Sequence, residues 1–145
     1  MVTSLTIQTS GQGLLEITAQ IADLVASKSV QASLAPDRSG MCTVFIRHTS
    51  ASLLIQENAD PSARHDLERW LNKLVPEQGP AAADFTHASE GPDDMPSHIK
   101  AALTATSLSI PIEAGRLVLG TWQGIYLWEH RRAPHNRQVV VHVGA

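Results

Sequence analysis

The sequence predicts an α+β fold, a mostly antiparallel sheet system with about three helices. Three observations carry this. Several short stretches alternate apolar and polar residues with period two. Two segments place apolar residues at helical spacing behind clear start or stop signals. The last third of the chain repeats strand-like runs between turn residues. At 145 residues the chain fits one domain spanning 1–145.

The first strand is expected over Ser4–Thr9, where Leu5 and Ile7 share a face. Gly11 and Gly13 mark a turn, and Leu14–Glu16 reads as a returning strand. Ile17, Ile21, Leu24 and Val25 recur at helical spacing, which predicts a helix over Thr18–Ser27. Met41–His48 is the clearest strand, with Cys42, Val44, Ile46 and His48 on one face. Ser52–Glu57 is expected as its antiparallel neighbour, because Thr49, Ser50 and Ala51 are too few for a parallel crossover.

Asp60-Pro61 opens the second helix, with Asp60 as N-cap and proline at the first position. Leu67, Trp70, Leu71 and Leu74 form its apolar face, and Pro76 ends it. Gln78–Pro96 reads as a loop, and Pro96 opens a third short helix carrying Ile99, Ala102 and Leu103. Leu108–Ile112, Arg116–Thr121, Ile125–Arg131 and Gln138–Val143 then suggest a β-meander.

Composition narrows the function. The formal charge of −3 and the lack of a basic stripe argue against nucleic acid. No apolar run reaches the ~18 residues of a membrane span, and the first residues lack a signal-peptide pattern. The single cysteine excludes a disulfide framework and suits a reducing cytoplasmic setting. The low charged fraction, 17%, fits a small enzyme or a subunit that hides surface in an oligomer.

Ionisable residues stand at the ends of apolar stripes. His48 extends the Cys42–Ile46 row. Glu129 extends Ile125 and Leu127, while Tyr126, Trp128 and His130 line the opposite face, so both faces of that strand should be covered. Buried groups of this kind need partners. His48 could be a satisfied core histidine, Glu129 a salt-bridge partner of Arg131, Arg132 or Arg47, and Cys42 a small core hydrophobe. The segment around His87, Glu90, Asp93, Asp94 and His98 is denser in such groups than a linker needs, although Asp93 or Asp94 could cap the third helix. Imidazole with carboxylate suits zinc or another transition metal better than calcium. Thr49, Ser50 and Ser52 are either ordinary turn residues or the hydroxyl and N–H donors of an anion site. His65, His135 and His142 read as surface or structural histidines.

Four stretches together resemble the YjbQ family, named for secondary thiamine-phosphate synthase: RHTSASLLIQENADP (Arg47–Pro61), FTHASEGPDDMPSHIKAAL (Phe85–Leu103), IPIEAGRLVLG (Ile110–Gly120) and TWQGIYLWEHRRAP (Thr121–Pro134). Ser97 stands where similar proteins commonly carry alanine. The resemblance implies an α+β fold with a mostly antiparallel, β-sandwich-like core, and a homotrimer with a site near subunit contacts. It implies a divalent metal gathered by His48, His87 and His98, in a pocket lined by Asn58, Asp60, Asp94, Gln123 and Glu129. The reaction it implies joins hydroxymethylpyrimidine pyrophosphate to thiazole phosphate, a chemistry that ordinarily uses magnesium. Two other readings fit the same residues: a metal-dependent hydrolase or lyase of a small phosphorylated metabolite, and a non-catalytic trimer that binds a metabolite or metal.

Overall fold

In a computed structural model describing Met1–Ala145, eight strands form two sheets. The elements are β1 (Val2–Thr9), β2 (Gly13–Glu16), α1 (Thr18–Ala26), α2 (Lys28–Gln31), β3 (Gly40–Ile46), β4 (Ala51–Glu57), α3 (Pro61–Leu74), α4 (Asp94–Leu103), β5 (Ser107–Glu113), β6 (Arg116–Leu117), β7 (Gln123–Glu129) and β8 (His135–Gly144). One sheet has the order β1-β8-β3-β5-β6 and the other β2-β7-β4. Every ladder is antiparallel. This is the expected α+β sandwich, with four helices and a 3₁₀ turn at Pro80–Ala82 in place of about three. No helix is long and apolar enough to cross a membrane.

The main core lies between the sheets. Cys42, Val44 and Ile46 meet Ile125 and Leu127 there, together with Val139, Val141 and Val143 of β8. α1 adds Ile21 and Val25, following Ile17. Thr18 fixes the helix start: its hydroxyl accepts from Ile125 N–H at 2.8 Å and donates to Glu16. Ser27, in an extended conformation, ends α1 and leads into the short α2, which the sequence pattern did not reveal.

β7 is the central strand of the smaller sheet, and its last six residues are buried. Its outer face, Tyr126 and Trp128, packs with Leu71, Val75, Leu67 and Ile99 from α3 and α4. Both faces are therefore covered by this chain itself. α3 is narrower than expected, since Trp70 and Leu74 are more than half exposed.

Three expected pairings are not formed. β4 does not pair with β3; it joins β7, in the register Ala51↔Glu129 to Glu57↔Gln123. The chain at Ala105–Thr106 separates β3 from β4: Ile46 N–H donates to Thr106 and Leu53 N–H to Ala105. Nor is the C-terminal region a meander, because β7 lies in one sheet while β8 lies between β1 and β3 in the other. Likewise β2 returns to β7 instead of to β1.

At one end of the sandwich the sheets are joined by charge. Glu129, 1% exposed, takes two hydrogen bonds from Arg137 of β8, which is 3% exposed. Thr9 of β1 donates to the same carboxylate at 2.6 Å. Removing one partner of a buried pair costs about 3–5 kcal/mol, whereas replacing both by apolar groups is often neutral. Arg137→Met is thus expected to lose about 3–5 kcal/mol in urea unfolding. The double variant Arg137→Met/Glu129→Leu should recover most of it. A loss below about 1 kcal/mol in the single variant would show that the pair does not hold the sheets together.

Candidate metal centre

The end of β4–β7 that carries Ala51 and Glu129 also receives the start of α4. The chain enters that helix through a turn at Gly91, whose φ of 104° suits glycine. A β-carbon there would approach Asp93 Oδ1 to 3.2 Å. Asp93 and Asp94 follow, and neither side chain caps the helix. Both turn to Arg131, just beyond β7. Its Nε donates to Asp93 at 2.9 Å, one terminal nitrogen donates to Asp94 Oδ1 at 2.8 Å, and the other donates to the Glu90 carbonyl. α4 begins at Asp94, two residues before the expected Pro96. Proline is harmless there because first-turn N–H groups lack helical acceptors.

Asp94 is 1% exposed and sits between two histidines. His87 Nε2 lies 2.7 Å from Oδ2, and His98 Nε2 lies 3.3 Å from Oδ1. The His87 contact lacks the alignment of a ring N–H hydrogen bond, so Oδ2 is buried without a hydrogen-bond partner. His98 is one helical turn after Asp94, on the same face. Its Nδ1 is 2.8 Å from the Thr49 carbonyl. A carbonyl only accepts, so that nitrogen carries hydrogen, and in the neutral ring Nε2 presents a lone pair to Asp94. One donor atom from each of His87, Asp94 and His98 lies within 4.8 Å of the other two.

This group passes a test for a divalent cation. It offers two imidazoles and one carboxylate, with an orphaned buried oxygen among them. Arg131 occupies Oδ1, and Oδ2 faces His87 Nε2. The Thr49 carbonyl provides the outer-shell acceptor that commonly fixes a ligating histidine. Such a donor set suits zinc, iron, manganese or nickel.

The remaining expected site residues fall elsewhere. His48 is outside the group. Its Nε2 accepts from Gln138 N–H at 2.7 Å and its Nδ1 lies 3.4 Å from Arg137 Nη1, so both ring nitrogens face donors of this chain and neither faces the Asp94 group. Burial and the nearby Arg137 charge lower its pKa, in keeping with a neutral ring. Glu129, expected in the pocket lining, is a core counterion. Burial opposes its charge, but bonds from Arg137, Thr9 and the Arg131 N–H outweigh this and keep its pKa below the usual glutamate value.

Asn58, Asp60 and Gln123 gather at the opposite end of the β4–β7 pair, six strand steps or about 20 Å from Glu129. Asn58 donates to Glu16, Asp60 caps α3 through Ser62 N–H, and Gln123 accepts from Gly120 N–H. Thr49 and Ser50 do lie at the histidine end. There they act through carbonyls, Thr49 toward His98 and Ser50 toward Arg137 and His130 N–H.

Of the two arginines that organise this end, Arg137 is not singled out by the sequence and Arg131 has partners the sequence does not indicate. Arg137 stands at the end of the Val139–Val141–Val143 row, so the stripe rule applied to His48 would have found it. Arg131 was considered a partner for Glu129, yet its guanidinium goes to Asp93 and Asp94. Burial opposes the Asp93 charge, but bonds from Arg132 N–H and Arg131 prevail and lower its pKa.

His130, on the outer face of β7, is sealed at 1% exposure, with Nε2 2.9 Å from Ser52 Oγ. Burial, reinforced by the Lys100 charge, pushes its pKa down to about 3. The folded state therefore keeps this ring neutral while the unfolded chain protonates it near the ordinary histidine value of about 6.5. The unfolded state binds the extra proton, so stability is full above pH ~6.5 and falls as pH drops from there toward about 3. The slope should approach about 1.4 kcal/mol per pH unit. Urea midpoints at pH 7, 6 and 5 should show it, and His130→Asn should flatten it. An unchanged slope in that variant would assign the effect to other groups.

Comparison with known proteins follows the whole chain. A family model described as "UPF0047 protein YjbQ-like" matches residues 3–145. A UPF0047 protein of Synechocystis is 52% identical over 139 residues, 96% of this chain and 88% of the relative. A UPF0047 protein YjbQ of Salmonella typhimurium is 41% identical, over 94% of this chain and 92% of the relative. A crystal structure of a YjbQ/UPF0047-family protein from Clostridium acetobutylicum superposes with a TM-score of 0.78 at 35% identity, covering 99% of this chain and 98% of that one. A protein of Aeropyrum pernix shares the fold, with a TM-score of 0.81 at 23% identity, covering 100% and 99% of the two chains.

Proposed function

The chain belongs to the YjbQ-like UPF0047 family, and from that premise we propose that it is a metal-dependent enzyme, a hydrolase or lyase of a small phosphorylated metabolite. The observation that supports this most is the gathering of one ligand atom each from His87, Asp94 and His98 within 4.8 Å, around a buried carboxylate whose Oδ2 has no hydrogen-bond donor and lies 2.7 Å from His87 Nε2. These three residues would hold a divalent transition metal, zinc first among them. When bound, such an ion polarises a phosphoryl oxygen and offsets its charge.

The chain's own groups prepare that site. Arg131 holds Asp94 by one oxygen and leaves the other facing the histidines. Thr49 fixes the His98 ring. Of the three acids in the segment, Asp93 and Asp94 are buried and only Glu90 has an exposed side chain. Glu90, whose Oε2 lies 3.8 Å from Arg131, is therefore the solvent-facing carboxylate we assign to proton exchange with substrate or water.

The condensation named for thiamine-phosphate synthase is the second reading, supported by the match over nearly the whole chain. It asks for cations to take up pyrophosphate charge. Here Arg131 and Arg137 are already committed to carboxylates and Lys100 is buried against Asn72, which favours hydrolysis or elimination. For assembly we propose the homotrimer. Its support is the outer face of β1, β8 and β3, where Val2, Val140, Met41 and Phe45 stand among uncharged polar residues and His142 is the one ionisable outward side chain of the three strands. Such a face suits burial against another copy.

Metal analysis of the purified protein is expected to find about one transition-metal ion per chain. Asp94→Asn and His98→Ala should lose it, with at least a ten-fold drop in affinity, while His48→Ala should keep it. Phosphate release from a panel of phosphorylated metabolites should stop on chelation and return with zinc. Full activity without metal would rule the proposal out, and product from the two thiamine precursors would select the second reading. Light scattering should give three times the monomer mass, and Phe45→Glu should lower it. A monomeric wild type would dismiss the trimer.

A further inference from the structure

Lys100, on the inner side of α4, is a buried charge that the histidine group does not use. It is 2% exposed, yet none of the chain's ion pairs includes it. Its side chain makes one hydrogen bond, from Nζ to Asn72 Oδ1 at 2.6 Å, and that partner is a neutral amide. A buried ammonium so placed needs opposite charge close by. Among the charges that act on it, the Glu77 carboxylate comes first and Arg132 second. Glu77 in turn is bound by Arg132, through Nε at 3.3 Å and through one terminal nitrogen. Charge therefore alternates from the interior outward. Lys100 comes first, then Glu77 with its side chain 11% exposed, then Arg132 with its side chain 63% exposed. The series begins and ends on a cation, and its outer end meets water.

That outer end lines an open groove with about 350 Å³ of space, bounded by Gln12, Asn72, Pro76, Glu77, Gln78 and Arg132. The groove is rich in unused donors. Lys100 binds the Asn72 oxygen and leaves the amide nitrogen without an acceptor. Glu77 binds two nitrogens of Arg132 and leaves the third. The main-chain N–H groups of Glu77 and Gln78 donate to no atom of the chain. Among the side chains, the unused acceptors are the amide oxygens of Gln12 and Gln78. A ligand that brings negative charge and oxygen acceptors fits this set; a cation or an apolar body does not.

We propose that this groove binds a small oxyanion, the carboxylate or phosphate group of a metabolite, held by Arg132 and the Asn72 amide as the next member of the alternating series. The site is separate from the metal reading above, since none of His87, Asp94 and His98 lines the groove.

Metal-free protein, prepared by chelation and dialysis, keeps the two sites apart in the test. Inorganic phosphate and, separately, succinate are titrated at low ionic strength and followed by proton–nitrogen NMR. At least one of them is expected to give saturable shifts of the Gln78 and Arg132 amides and of the Asn72 side chain, with His87 unmoved. The tighter of the two identifies the source as phosphate or carboxylate. Succinamide, uncharged and of the same length as succinate, should give no shift. Arg132→Gln and Lys100→Met should each weaken binding about ten-fold or more. Glu77→Gln, which removes the intervening negative charge, should tighten it, and this variant carries the test if Lys100→Met does not fold. Arg69→Gln, elsewhere on α3, should leave the affinity unchanged. Absence of saturation with both anions, shifts confined to His87, or an equal loss in Arg69→Gln overturns the site. So does full affinity in a folded Lys100→Met, which would reduce the binding to that of an ordinary surface arginine.

Discussion

Buried negative charge at one end of the sandwich governs how this molecule is put together. Glu129, Asp93 and Asp94 are all within a tenth of full burial, and a carboxylate so enclosed demands a cation or several donors. Arg137 answers Glu129 from the opposite sheet, and Arg131 answers the two aspartates from the strand end. The first pairing sets how β8 faces β7. The second draws an otherwise irregular segment against the sheet and gives α4 its starting point.

The site follows from those pairings. Asp94 owes its orientation to Arg131, and His98 owes its tautomer to the Thr49 carbonyl at the exit of β3. His87 comes from the loop between α3 and α4 and completes the group. Precision therefore comes from rigid elements on two sides, a strand end and a helix start, with one histidine supplied by the loop. This arrangement is common where a protein must hold charge in a fixed place.

Much of this was legible in the residues. Period-two alternation found the buried rows of β3 and β7, and it correctly had both faces of β7 covered. It could not assign strands to sheets, because alternation specifies a face and not a neighbour. The short link after His48 suggested a hairpin; the chain at Ala105–Thr106 occupies the space where that ladder would run. At the site, the concentration of acids and imidazoles in one segment was visible, and so was the value of His87, Asp94 and His98. The membership of His48 was not decidable from its stripe, since the backbone amide that occupies its ring comes from Gln138, ninety residues later. The separations of 38 and 37 residues between Arg131 and its two aspartates hid that pairing for the same reason.

Arg131 has a double attachment. Its main-chain N–H bonds Glu129 while its guanidinium bonds Asp93 and Asp94. One residue is thereby shared by the hydrophobic interior and the histidine cluster. The segment from Phe85 to His98 is consequently no detachable cassette: transplanted onto another sandwich without this arginine and the strand terminus presenting it, it would arrive with two buried acids and nothing to neutralise them.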